Sequence, residues 1–165
     1  MRQIATSILI SLTLVTPALA CGFHEGAGIL NVPNHPGVMI TLARVNAAKD
    51  VELIPLSKKP DAMLNWQLAQ KLSSTMPVEK IVFYQVNEGH YSFVTKDNYR
   101  WLQEYTLDKK PKLGELMILS ELSVFDALFE RSISIDTALS EMWIKINGPK
   151  RERELVTEWL RENFA

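Results

Sequence analysis

The chain has 165 residues, 47% of them hydrophobic and 22% charged, with a formal net charge of −1. That length fits one domain with a short arm, and a chain of about 150 residues buries roughly 70% of its unfolded surface, enough for a self-sufficient core. The near-neutral balance lacks the basic excess of a nucleic-acid binder, the apolar content excludes disorder, and the lone cysteine excludes an intramolecular disulfide or a four-cysteine zinc site.

The chain opens with Met1-Arg2-Gln3, an apolar run over residues 4–15, then Thr16-Pro17 and Ala18-Leu19-Ala20. A basic start, a short apolar core and small residues at the −3 and −1 positions predict a signal peptide over residues 1–20, cut after Ala20. The run is short for about 30 Å of hydrocarbon, and no later segment has some 18 uninterrupted apolar residues, so no transmembrane segment is expected after processing. The expected location is periplasmic or secreted. Cys21 would then be the first residue of the mature chain, a position where bacterial lipoproteins carry a lipid, although Ala18-Leu19 fit that motif poorly. Without a lipid, Cys21 is an odd thiol in an exported protein.

Residues 21–36 are rich in glycine and proline and predict a flexible arm, followed by a single α+β domain over residues 37–165. Val38, Met39, Leu42, Ala43 and Asn46 share a face of a helix predicted over residues 37–49. Pro60-Asp61 opens a second, to about Ser73, with Leu64, Leu68 and Leu72 as its inner face. The period then changes. Residues 80–86 are β-branched and aromatic, Asn87-Glu88-Gly89 supplies a turn, and residues 90–95 return as a second strand. Residues 99–105 read as a third strand or a short helix, and residues 115–119 as a fourth strand. Ser120 is a plausible N-cap for a helix through Arg131 with Leu122, Phe125, Leu128 and Phe129 inward. Ser134 caps a short helix with Ile135, Ala138, Leu139 and Met142 inward. Residues 143–147 alternate as a fifth strand. Gly148-Pro149 starts the last helix, whose apolar stripe is Leu155, Val156, Trp159, Leu160 and Phe164. Strands followed by helices imply a mainly antiparallel five-stranded sheet covered by helices.

From about residue 81 to residue 160 this order resembles the sterol carrier protein type 2 domain. The matching stretch is Leu116-Met117-Ile118-Leu119, Val124-Phe125-Asp126-Ala127-Leu128-Phe129-Glu130-Arg131, Ser134-Ile135-Asp136-Thr137-Ala138-Leu139 and Trp143-Ile144-Lys145-Ile146-Asn147-Gly148. The Gly89-His90-Tyr91 turn looks like that family's opening hairpin. Glu130 and Glu141-Met142 depart from it, standing where glycine is frequent. The resemblance implies a fold and a ligand class, lipids or other long apolar molecules, and fold analogy alone establishes no activity.

In such an arrangement Phe125, Leu128, Phe129, Ile135, Leu139, Met142 and Trp143 would line an apolar ligand site between sheet and helices. The same spacings also suit a filled core. Cys21 and His24 form a Cys-x-x-His pair which, with His35, could supply thiolate and imidazole ligands to copper or zinc; the alternative is an arm with an incidental thiol. His90, beside a turn, reads as a surface hairpin residue. The sequence holds no Gly-x-Ser-x-Gly, His-Glu-x-x-His, phosphate loop or Cys-x-x-Cys, and its three early glycines follow no strand. The expectation is a non-enzymatic protein without a cofactor that binds a lipid or other apolar small molecule. The alternatives are a periplasmic metal or thiol module and an interaction subunit with a filled core acting on a protein partner.

Overall fold

The structure is a computed structural model and describes residues 35–73, 75–87, 89–96 and 111–165. Its elements run α1 (Val38–Asp50), α2 (Asp61–Ser73), β1 (Lys80–Gln85), β2 (His90–Thr95), β3 (Met117–Ser120), α3 (Leu122–Phe129), α4 (Ile135–Ser140), β4 (Lys145–Asn147) and α5 (Lys150–Phe164). The described strands form one mixed sheet in the order β2-β1-β3-β4.

Every residue of β1 after Lys80 is buried, which is why it reads as a continuous apolar run rather than an alternation. Both its faces are covered. Ile81 and Phe83 point into the larger core with Leu116, Ile118, Ile144 and the apolar stripes of α2, α3 and α5. Val82 and Tyr84 point the other way, packing with Tyr91, Met117, Leu119 and Val38. The β1–β2 hairpin pairs Val82 with Phe93 and Tyr84 with Tyr91. Lys80 Nζ lies 4.1 Å from the centre of the Phe93 ring, covering one edge of that face.

The pairing of β1 with β3 is parallel, and that of β3 with β4 antiparallel. Parallel neighbours need a crossover instead of a tight turn. Both ends of the stretch between β2 and β3 sit at the start of β1. The Lys96 amide donates to the Glu79 carbonyl at 3.2 Å, and the Val82 amide to the Leu116 carbonyl at 3.1 Å. The chain therefore enters β3 from the end at which β1 begins, and the expected antiparallel meander becomes a mixed sheet. The expected strand over residues 99–105 lies outside the described residues.

Several helix assignments shift. Ser120 is not the cap of α3; it ends β3, fully buried, and its hydroxyl donates to the Trp143 carbonyl at 2.8 Å, joining β3 to the approach to β4. The cap position belongs to Glu121. Glu121 is buried, and its Oε1 accepts from the Asn87 amide at the hairpin turn. Ser134 does cap α4, accepting from the Thr137 amide at 3.0 Å. In α1 the buried stripe is Val38, Thr41, Val45 and Ala48, whereas Met39, Ala43 and Asn46 face outward. Apolar Met39, Ile40, Ala43 and Ala47 also lie outside that stripe, so periodicity alone does not select a face.

Lys59 pins the α1–α2 connection to α3. Its Nζ donates to Asp126 Oδ1 at 2.6 Å and to Glu130 Oε1 at 2.5 Å. The hydrogen bond to Asp126, then that to Glu130, raises the Lys59 ammonium above its ordinary value. A raised folded-state value means that this contribution is fully present below the ordinary lysine range, near about pH 10.4, and is lost as pH climbs through the folded value. In urea titrations the stability gap between the parent and Lys59→Met should therefore be constant from neutral pH to about pH 10 and shrink above it. A gap that widens with alkali would contradict this.

Candidate binding groove

The seven residues expected around a ligand separate into two groups. Phe125, Leu128, Ile135 and Trp143 are buried in the large core, with Phe129 and Leu139 half-buried against it. The Phe125 ring stands edge-on to Phe83 at 5.4 Å and packs on Phe164 at 5.8 Å, while Phe129 meets Phe164 at 5.4 Å. These rings interlock as core rings do. Met142 is 41% exposed. Leu139 and Met142 line a groove that the other five do not.

That groove, about 560 Å³, runs along β4 between the end of α4 and the length of α5. Its volume falls within the range of about 300–1,000 Å³ usual for small-molecule sites. Leu139, Met142 and Ile146 give the groove an apolar patch, with Ile144 buried beneath it and Thr157 among the polar lining. Lys145, Lys150, Arg153 and Arg161 supply cations around it, against Glu154 and Glu158. Among the described strands β4 ends the sheet, so the groove follows a sheet edge.

Local backbone chemistry builds this surface. The helix α4 stops at Ser140, and Met142 sits in the left-handed region with φ 60°, so its side chain swings outward instead of continuing the inward stripe. An unbranched residue held there is strained, and strain of this kind gathers at ligand-handling sites. The Ile144 amide then donates to the Ala138 carbonyl at 2.9 Å, drawing the chain back to the sheet. Across one end of the groove Arg161 bonds Asp136 of α4 at 2.8 Å and Glu158 at 2.7 Å. Hydrogen bonding to Asp136, then to Glu158, raises the Arg161 guanidinium above its ordinary value, so it stays charged throughout. On the opposite side of β4, Asn147 Nδ2 donates to the Pro36 carbonyl at 2.7 Å. The aliphatic stem of Lys145 lies against Gly37, where a Cβ would fall 2.2 Å from it.

Met142→Gly separates function from stability. Releasing the left-handed strain offsets the extra chain entropy of glycine, so the unfolding free energy should stay within about 1 kcal/mol of the parent. Affinity for an apolar ligand in the groove should fall about threefold to tenfold with the lost thioether surface, read by calorimetric titration.

Of the expected metal ligands, Cys21 and His24 lie outside the described residues. His35 is half-buried beside two aromatic rings, 6.1 Å from Tyr91 and 6.5 Å from Tyr84. Among the described residues no group of three or more His, Cys, Asp or Glu could hold a metal ion. None of their helices is long and apolar enough to cross a membrane.

Fold and groove together define an α+β protein of four strands and five helices among the described residues, with a groove of mixed apolar and charged lining at its sheet edge. No protein-family profile, curated protein or solved structure matches the chain.

Proposed function

We propose that this chain is an exported, non-enzymatic protein, of the sterol carrier protein type 2 kind, that binds a lipid or other apolar molecule. The observation that supports the reading is the apolar patch of Leu139, Met142 and Ile146 in an open groove of ligand size. On this reading the ligand lies at the sheet edge and not between sheet and helices, because the inner rings fill their own space. Burying a chain on that patch is favourable by about 0.8 kcal/mol per CH₂. The signal peptide over residues 1–20 and a periplasmic or secreted location belong to the same proposal.

Native mass spectrometry of the mature protein, purified without detergent from its own host, tests it. A stoichiometric apolar adduct is expected on the parent, lost in Met142→Asp, whose exposed site leaves folding intact. A parent free of adduct that also takes up no added fatty acid would remove the binding reading. A second reading, a subunit acting through surface contacts, is favoured by the run of exposed Val51, Leu53, Leu56, Met63 and Trp66 on one stretch of chain. It requires Trp66→Ser, and not Met142→Asp, to abolish function.

A further inference from the structure

Building on the proposed groove, we infer that Met142 is an oxidation site that switches apolar binding there: conversion of its thioether to the sulfoxide closes the apolar patch to a ligand. Of the methionines among the described residues, Met39, Met63 and Met142 are exposed, whereas Met76 and Met117 are buried. Of the three exposed ones, Met142 alone lines the groove, together with Leu139 and Ile146. Its presentation is set by the backbone. Met142 follows the end of α4 in the left-handed region, with φ 60°, and its amide donates to the Leu139 carbonyl at 3.2 Å. Such a helix-ending position is ordinarily taken by glycine or asparagine. Here a long, unbranched thioether side chain occupies it and stands open to solvent. A small oxidant therefore meets this residue without any opening of the core, in contrast to Met76 and Met117.

The step is a two-electron oxygen transfer from a hydroperoxide, hydrogen peroxide being the simplest. The sulfur lone pair attacks one peroxide oxygen, the O–O bond breaks and an S–O bond forms. The other oxygen leaves as water with both hydrogens. The sulfur is oxidised by two electrons and the peroxide is reduced by two. The product carries a polar acceptor where the patch had a soft apolar group. An apolar chain laid over it offers no donor, so the sulfoxide oxygen would lose its water without replacement. Reduction by methionine sulfoxide reductases, one for each sulfoxide epimer, restores the thioether.

Calorimetric titration of the mature protein with dodecanoate, before and after hydrogen peroxide, tests this, with the sites of oxidation mapped by mass spectrometry of its peptides. Parent protein converted at Met142 should bind about tenfold more weakly at an unchanged unfolding midpoint, and recover after treatment with the two reductases. Met142→Leu keeps the apolar volume and has no sulfur to oxidise, so it should bind like the untreated parent both before and after peroxide. A Met39→Leu, Met63→Leu double variant should lose affinity on oxidation as the parent does. Unchanged affinity with Met142 fully converted, an equal loss in Met142→Leu, or a Met142 that stays reduced while Met39 and Met63 are converted would overturn the switch and leave the groove standing. An untreated parent that takes up no dodecanoate would remove the groove reading and this inference together.

Discussion

Phe125→Ala is expected to destabilise the fold by about 3–5 kcal/mol and to lower the unfolding midpoint by roughly 10 °C. Phe125 is 1% exposed and lies at the meeting point of the sheet, through Phe83, and the end of α5, through Phe164. Removing its ring takes away apolar burial and leaves a cavity that the neighbouring strands and helices, fixed by their hydrogen bonds, close only in part. The experiment also decides between two roles for this ring. A side chain lining a ligand void has fewer atoms to lose contact with, so its truncation would cost little and enlarge the void. A loss below about 1 kcal/mol accompanied by tighter lipid binding would mean that the ligand sits between sheet and helices and not at the edge.

Gly148→Ala should cost at least about 2 kcal/mol, and roughly 5 °C in midpoint. Gly148 turns the chain from β4 into α5 with φ 127°, a region that side-chain-bearing residues avoid. A Cβ there would also meet the Leu116 Cα at 2.8 Å, a backbone atom of the approach to β3 that has no rotamer by which to yield. Strain and clash act together, and relief needs β4 or α5 to move. Because both elements wall the groove, ligand affinity should fall with stability, in contrast to Met142→Gly. A neutral Gly148→Ala in thermal unfolding would show that this turn is looser than its geometry implies.

Much of the fold was legible in the sequence, and the particular residues explain why. Leu64, Leu68 and Leu72 are buried as their spacing requires, and the β1–β2 hairpin has the turn chemistry expected of it. In α5, Val156, Trp159 and Leu160 are inward, while Leu155, at the edge of that stripe, is largely outside. Ser134 caps its helix by accepting from the Thr137 amide, as serine at that position commonly does. What local pattern could not supply was pairing direction. Nothing within residues 115–119 distinguishes a strand that runs parallel to β1 from one that runs against it; the decision comes from where the crossover delivers the chain.

The groove was half legible for a similar reason. Leu139 and Met142 were singled out by helical spacing, but α4 ends at Ser140, so Met142 faces the solvent side and not the core. The polar positions Lys150, Arg153, Thr157 and Arg161 recur at helical spacing as a second stripe beside the apolar one. Read alone, that stripe is a solvated face. Its role emerges only when β4 and the end of α4 are set opposite it, which no single-helix pattern encodes.

Methyl-resolved NMR of the mature protein titrated with dodecanoate tests the central claim most directly. The groove account requires progressive shifts at Leu139, Met142, Ile144 and Ile146, with Val82, Met117 and Leu119 on the opposite sheet face unmoved. Shifts confined to that opposite face, or none at saturating ligand, would contradict it.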